Sequence, residues 1–191
     1  AYFAIFEDCK DNIGPGKTVV INGAAGAVGT MAGQFAKIAG SKVIGITSTD
    51  EKCDWLVNEV GYDVAINYKK GDLYEQLVEA APDRLDVIFD NVGGEILNES
   101  LRWIAMRGIV LMCGSTSQYV EDEMKGPSNY IWLGTMSGRL QGYVVYDYVE
   151  KFQEARQQMG KWLADGKLKF FDHVIEGDVA DFGDVFRRLY E

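Results

Sequence analysis

Cysteine and histidine are scarce in this chain of 191 residues. The three cysteines, Cys9, Cys53 and Cys113, follow no paired or metal-binding spacing, and the single histidine, His173, cannot complete a four-ligand zinc site with them. The sequence therefore predicts neither a metal ion nor a disulfide framework. A reducing, cytoplasmic location is the default expectation for such cysteine usage.

Long apolar runs and an excess of basic residues are also absent. No run approaches the roughly 20 apolar residues that a membrane-spanning helix needs. The 19 basic residues are outnumbered by 29 acidic ones, so neither nucleic acid nor an anionic membrane surface is expected as a partner. The first residues, AYFAIFEDCK, have neither the features of a signal peptide nor an initiator methionine, and we expect the chain to be part of a longer protein.

The sequence does contain a regular alternation of strand and helix patterns. Residues 18–22 (TVVIN) carry no charge, as in a strand buried on both faces of a sheet, and apolar or small residues then recur at helical spacing from Val28 to Ala39. The further predicted strands are residues 42–48, 63–68, 86–92, 108–114 and 140–145. The other predicted helices are residues 2–10, 50–60, 72–80, 95–105, 130–136 and 148–164, followed by a strand-like piece over 169–176 and a last helix over 179–190.

This alternation predicts a single α/β domain built on a doubly wound, six-stranded parallel sheet, the Rossmann fold. The commonest strand order for the pattern is 3-2-1-4-5-6. Ligands of such sheets bind at the carboxyl ends of the strands. We therefore expect the functional residues where the strands end.

The first such place is the glycine-rich turn after residues 18–22. Gly26 would let the backbone approach a pyrophosphate, Gly29 would let helix and strand pack closely, and the amides of Ala27 and Val28 would face the anion. Position 24 is alanine, so the turn is an A-x-G-x-x-G variant of the common G-x-G-x-x-G motif. The alternative is a tight turn with no ligand.

The end of the second predicted strand has no carboxylate. An NAD-binding domain usually places an acidic residue there, about 20 positions after the glycines, whereas this chain has Thr47 and Ser48, with Lys52 soon after and Tyr68 at the end of the third strand. Hydroxyl groups and an ammonium suit a 2′-phosphate, which a carboxylate would repel. The alternative for Lys52 is a solvated lysine in the first turn of a helix.

The ends of the fourth and fifth predicted strands would lie beside a nicotinamide ribose. They carry Asn91 with two following glycines, and Cys113, Gly114 and Ser115. The glycines could equally serve only the strand exits. Cys113 is interpreted as a small packing residue, because no histidine is placed to activate it as a nucleophile.

Six motifs taken together resemble one family of enzymes. In order, INGAAGAVG, TSTDEKCDWL, GYDVAINYK, DVIFDNVGGE, VLMCGSTSQY and LQGYVV are similar to the zinc-independent medium-chain reductases of the leukotriene B4 12-hydroxydehydrogenase, or prostaglandin reductase, type. The resemblance covers nearly the whole chain. It implies an NADP-dependent enzyme that reduces the carbon–carbon double bond of α,β-unsaturated ketones and aldehydes.

The resemblance also implies roles for individual residues. Residues 26–29 would hold the pyrophosphate, Lys52 and Tyr68 the 2′-phosphate, and Asn91 the nicotinamide side of the coenzyme. The nicotinamide pocket would be lined by residues 113–119 and closed by Tyr143, Val144 and Val145. Tyr119 is the candidate catalytic residue, as a hydrogen-bond donor to the developing enolate or to the coenzyme, since a phenol with a pKa near ~10 is a weak general acid. The alternative for Tyr119 is an ordinary aromatic residue in a surface loop.

Two parts of the family pattern are not found in this chain. They are the amino-terminal GroES-like domain and the closing strand with its asparagine–glycine–lysine segment. The chain is therefore interpreted as the coenzyme-binding part of a reductase, which could bind NADPH without turnover. A quinone oxidoreductase of the same superfamily and a non-catalytic NADPH-binding module are the alternatives.

The last predicted strand, residues 140–145, would lie at the edge of the sheet with neither proline nor lysine to block pairing. We expect it to pair with its twin in a homodimer. The alternative is that the tail of the chain covers this edge.

Overall fold

A six-stranded, all-parallel sheet forms the centre of the molecule. The structure is a computed structural model that describes residues 1–119, 123, 125–172 and 174–187. The strand order is β3-β2-β1-β4-β5-β6, which confirms the predicted doubly wound topology. The strands are β1 Thr18–Asn22, β2 Lys42–Thr47, β3 Val64–Asn67, β4 Leu85–Asp90, β5 Ile104–Met112 and β6 Arg139–Gly142.

Helices cover both faces of this sheet. They are α1 Ala27–Ile38, α2 Asp50–Trp55, α3 Leu73–Ala80, α4 Gly94–Arg102, α5 Ile131–Thr135, α6 Phe152–Ala164 and α7 Phe182–Arg187. Short π-helical turns at Ala4–Asp8 and Leu56–Val60 and 3₁₀ turns at Thr116–Gln118, Val145–Lys151 and Val179–Asp181 complete the described elements. No helix among the described residues is both long enough and apolar enough to cross a membrane.

Alternate residues of each strand supply the two halves of the core. Val19 and Ile21 of β1 point to a cluster that includes Phe35 of α1, whereas Val20 points to the opposite cluster with Leu97 and Leu101 of α4. All five residues of β1 are buried, because the strand is central and covered on both faces. This burial fixes the end of β1, from which the glycine-rich turn leaves the sheet.

The boundary between α4 and β5 was predicted wrongly. The helix ends at Arg102 rather than residue 105, and β5 begins at Ile104 rather than residue 108. Ile104 pairs with Leu85 of β4, and a register shift follows between Leu85 and Val87. Ile104 and Ala105 also fit the helical pattern, but strand pairing and burial place them in β5.

The carboxyl-terminal elements also differ from prediction. β6 ends at Gly142 rather than residue 145, and a 3₁₀ turn precedes α6, which starts at Phe152 rather than residue 148. Among the described residues of 169–176 there is no strand. The side-chain amide of Gln34 instead holds this segment, since Lys169 N donates to Gln34 Oε1 and Gln34 Nε2 donates to Lys169 O. His173 and the end of the last predicted helix, residues 188–190, lie outside the described part of the chain.

Candidate functional site

An open cavity of about 510 Å³ lies at the carboxyl ends of β1, β2 and β4. It brings together many of the residues that the sequence predicted for a coenzyme site. The predicted residues in its lining are Gly26, Ala27, Val28, Gly29, Thr47, Ser48, Lys52, Tyr68 and Asn91. The lining also includes Gly23, Ala25, Ile46, Val92, Ile96 and Thr116.

The glycine-rich turn forms one wall of this cavity. Gly23 has a φ of +69°, a conformation that L side chains rarely adopt, and it reverses the chain after β1. Gly26 is the N-cap of α1 and has no side chain to cap the helix. The first amides of a helix have no partner within it, so the start of α1 offers donors and a positive dipole end to an anion.

Close packing explains why glycine stands at position 29. A Cβ there would lie 2.4 Å from Gly23 O and 2.8 Å from Ala24 Cα. The start of α1 is held by a further contact that the sequence did not reveal, since the buried Tyr62 hydroxyl donates to Gly29 O over 2.8 Å. Gly33 makes room for that ring, because a Cβ at position 33 would lie 2.1 Å from Tyr62 Oη.

A buried polar network joins the ends of β1 and β4. Asp90 is 1% exposed and accepts hydrogen bonds from Asn22 Nδ2 at 2.8 Å and from the amides of Val92 and Gly93. Burial raises the pKa of Asp90, while these donors oppose the shift. Asn91 Nδ2 donates to Asn22 O over 3.0 Å. The network therefore fixes the backbone that carries Asn91 into the cavity.

The end of β2 forms the opposite wall. Thr47 is buried, Tyr68 N donates to Thr47 O over 3.1 Å, and Lys52 Nζ lies 3.5 Å from Ser48 Oγ. Lys52 makes no ion pair with a described acidic residue. The N-cap of α2 is Thr49, whose hydroxyl accepts from Lys52 N. This wall thus presents hydroxyl groups and one uncompensated ammonium.

The segment after β5 is joined to the segment after β4. Cys113 N and Gly114 N donate to Asp90 O, and Thr116 N donates to Asn91 O. Of the described residues in this segment, Thr116 lines the cavity, whereas Cys113, Gly114, Ser115 and Tyr119 do not. Tyr119 is 59% exposed, and its hydroxyl accepts from Ser115 N at 3.5 Å.

Tyr143, Val144 and Val145 are not brought into the main cavity. Tyr143 and Val145 line a second, apolar cavity of about 320 Å³ beside Met31 and Phe35 of α1, and Val144 is exposed. The Tyr143 hydroxyl is buried without a hydrogen-bond partner among the described residues, and burial raises its pKa to about 12. All three residues are thus outside the lining of the main cavity.

No group of three or more histidine, cysteine, aspartate or glutamate side chains is placed to hold a metal ion in the described part of the chain. The fold and the glycine-rich turn define an α/β domain of the kind that binds dinucleotides.

Known proteins are similar to this chain in sequence and in fold. A family model described as zinc-binding dehydrogenase matches residues 27–163. Prostaglandin reductase 1 of Bos taurus is 41% identical over 181 residues, which cover 93% of this chain and 54% of that protein. The crystal structure of CurA from Vibrio vulnificus in complex with NADPH superposes with a TM-score of 0.89 at 30% identity, covering 99% of this chain and 57% of that chain. The crystal structure of Escherichia coli quinone oxidoreductase complexed with NADPH has a TM-score of 0.76 at 26% identity, covering 90% of this chain and 52% of that chain.

The chain belongs to the zinc-binding dehydrogenase family, among its medium-chain reductases of the prostaglandin reductase type. The resemblance seen in the sequence is thereby confirmed. The chain spans about half the length of the relatives it matches.

Proposed function

We propose that this chain binds NADPH in the main cavity and forms the coenzyme-binding part of a reductase for α,β-unsaturated ketones and aldehydes. The observation that carries the proposal is a single cavity lined by two elements. One is the start of α1 with Gly26 and Gly29, and the other is the end of β2, which has no carboxylate, together with Lys52 of α2. In this fold the pyrophosphate lies at the start of the first helix and the adenosine ribose at the end of the second strand. The NADPH-bound relative supports the choice of coenzyme.

The pyrophosphate would lie against the start of α1. Ala27, Val28 and Gly29 offer backbone amides there. The Gly26 amide donates to Gly23 O, and Gly26 contributes by having no side chain that would keep the anion away. Because Tyr62 and Gly23 fix this turn before any ligand binds, little ordering free energy is lost on binding.

The 2′-phosphate would lie against Thr47, Ser48, Lys52 and Tyr68. We expect Lys52→Ala to weaken NADPH binding by about tenfold, as for the loss of one charge-assisted contact, and to leave NADH binding nearly unchanged. Lys42→Ala, an exposed lysine at the other end of β2, is the matched control. Equal losses for both coenzymes in Lys52→Ala would contradict this assignment.

The nicotinamide would lie toward Asn91 and the segment 113–119. NADPH supplies a hydride when bound, and the chain's own groups orient the ring and keep it from water. Cys113, Gly114 and Ser115 would form the wall of this pocket, and Tyr143, Val144 and Val145 would close over it.

Tyr119 would donate a hydrogen bond near the reacting carbons. Among the described residues its exposed hydroxyl accepts one hydrogen bond, from Ser115 N at 3.5 Å, and as an acceptor there it keeps its own proton for a ligand. Tyr119→Phe should lower kcat of the whole reductase while NADPH affinity stays within about twofold, as expected for a lost transition-state contact. An unchanged kcat would identify Tyr119 as an ordinary surface residue.

A quinone is the second candidate substrate, and the similarity to Escherichia coli quinone oxidoreductase favours it. Rates of NADPH oxidation by the whole protein with a panel of enones, enals and quinones separate the two. We expect faster turnover of enones and enals. Faster turnover of quinones would favour the second candidate, and NADPH binding without turnover of either class would favour a non-catalytic module.

A homodimer through the sheet edge is proposed as well. β6 is an edge strand in the described sheet, and Leu140 is 41% exposed. Residues 143–145 have left the strand, so the pairing segment is Arg139–Gly142 rather than residues 140–145. Light scattering should give twice the chain mass, and Leu140→Pro should reduce it to the monomer mass. A monomer at high concentration would contradict the pairing.

A further inference from the structure

Asp50 lies beside the proposed 2′-phosphate site. It stands two residues after Ser48 and two before Lys52, both of which line the cavity. In 0.1 M salt, exposed charges are largely screened from each other beyond about 10 Å, so only charges closer than this interact appreciably. A carboxylate at this position would therefore oppose a phosphate dianion, unless another charge compensates it or the side chain points away.

Both oxygens of Asp50 are engaged by the segment that follows β3. Asn67 Nδ2 donates to Oδ1 over 2.8 Å, and the Lys70 ammonium forms an ion pair with Oδ2. Asn67 is the last residue of β3, and its Oδ1 accepts from Lys69 N at 3.1 Å. The Asp50 carboxylate is thus held toward the β3 side, and Asp50 is not part of the described cavity lining.

The charges of this pair are permanent at neutral pH. Lys70 and Asn67 lower the pKa of Asp50, and Asp50 raises the pKa of Lys70. Lys70 therefore offsets the negative charge of Asp50 and transfers no proton. It does so without lining the described cavity, in contrast to Lys52.

We propose that Lys70 is a positioning residue for coenzyme choice, which pairs with Asp50 and keeps that carboxylate from opposing the 2′-phosphate of NADPH. The inference rests on the proposed NADPH site, in which Lys52 is the direct cation. Lys70 acts through Asp50 and makes no contact with the coenzyme.

Calorimetric titration with NADPH and NADH tests this role. Lys70→Ala should weaken NADPH binding by about threefold to tenfold, the range expected when one exposed ion pair is lost beside a charged ligand, and leave NADH binding nearly unchanged. Lys70→Arg should retain the wild-type affinities. The double variant Asp50→Asn/Lys70→Ala should recover NADPH binding, because the repelling charge is gone. Lys69→Ala, which removes the same charge one residue away without a contact to Asp50, is the matched control.

Three results would overturn the proposal. They are unchanged NADPH binding by Lys70→Ala, a loss that Asp50→Asn does not repair, and an equal loss for NADH. The second would make Lys70 a direct phosphate ligand, and the third would make it a structural residue. If the wild-type chain itself does not distinguish NADPH from NADH, the proposed coenzyme site fails first, and this inference fails with it.

Discussion

At the scale of single residues, the start of α1 depends on the missing side chain of Gly29. A Cβ at that position would meet backbone atoms of Gly23 and Ala24 at 2.4–2.8 Å, and backbone cannot move aside cheaply. We expect Gly29→Ala to lower the free energy of unfolding by about 2–3 kcal/mol, as for an overpacked site.

Gly160→Ala in α6 is the control for this change, since no described atom beyond the neighbouring backbone of α6 and the adjacent residues lies within 4 Å of the added methyl group. It should be neutral or stabilising by up to about 1 kcal/mol, because alanine has a higher helix propensity than glycine. Urea unfolding measures both. Equal stability of the two variants would show that the turn relaxes freely around a side chain.

The three cysteines should differ in reactivity. Burial raises the pKa of Cys9 and of Cys113 to about 12, which leaves about one thiolate in 10⁴ at pH 8. Cys53 is only partly buried, and its pKa is raised less far. We expect one thiol to react first with iodoacetamide at pH 8, and Cys53→Ser to remove that phase. Labelling of all three cysteines at one rate would contradict the expected difference in thiol pKa.

Single residues were predictable from the sequence where the signal is local. The glycines of residues 23–29 and the missing acid at the end of β2 lie within a few positions of the strands they follow, and strand and turn patterns identify them. Tyr62 was missed, because it contacts Gly29 across 33 positions of sequence. Gly33 and Gly45 could have indicated a buried aromatic ring between α1 and β2, since small residues on facing elements leave room for one.

At the scale of elements, the polar network around Asp90 connects β1 to the turn after β4. Removing the carboxylate leaves the amides of Val92 and Gly93 and the side chain of Asn22 without their acceptor. Asp90→Ala should therefore cost about 2–4 kcal/mol of unfolding free energy. Asp54→Ala, an exposed aspartate in α2, should change it by less than about 0.5 kcal/mol. A neutral Asp90→Ala would contradict the role of the network.

The same carboxyl makes stability depend on pH. Because burial raises the pKa of Asp90 in the folded state, its contribution is fully present below the unfolded pKa of about 3.9 and is lost as the pH rises through the folded pKa. The unfolding free energy of the wild type, relative to that of Asp90→Asn, should accordingly decrease as the pH rises above 3. A constant difference would mean that the pKa is the same in both states.

Element positions were predicted well where one pattern dominates and poorly where two compete. β1 runs from Thr18 to Asn22 as expected, since no helical stripe overlaps it. Residues 104 and 105 fit both the apolar stripe of α4 and a buried strand, and only pairing with β4 decides between them. The strand-like 169–176 segment has no neighbouring strand, and hydrogen bonds to Gln34 hold it instead.

At the scale of the whole molecule, the sheet order brings three strand ends into one cavity. β2, β1 and β4 are adjacent, although β4 follows β2 in sequence by more than 35 residues. This reversal of strand order creates the crevice where ligands of the fold bind. The sequence allowed that cavity to be predicted, because 3-2-1-4-5-6 is the commonest strand order for this alternation of strands and helices. The positions of residues 143–145 could not be predicted, because they depend on how the chain after β6 packs beside Met31 and Phe35 of α1.

The central claim is that this cavity binds NADPH in preference to NADH. Titration of the wild-type chain with each coenzyme, in one buffer and at one salt concentration, tests it most directly. The account predicts an NADPH dissociation constant at least about tenfold below that of NADH, which corresponds to about 1.4 kcal/mol for the 2′-phosphate contacts. Equal dissociation constants for the two coenzymes would contradict it.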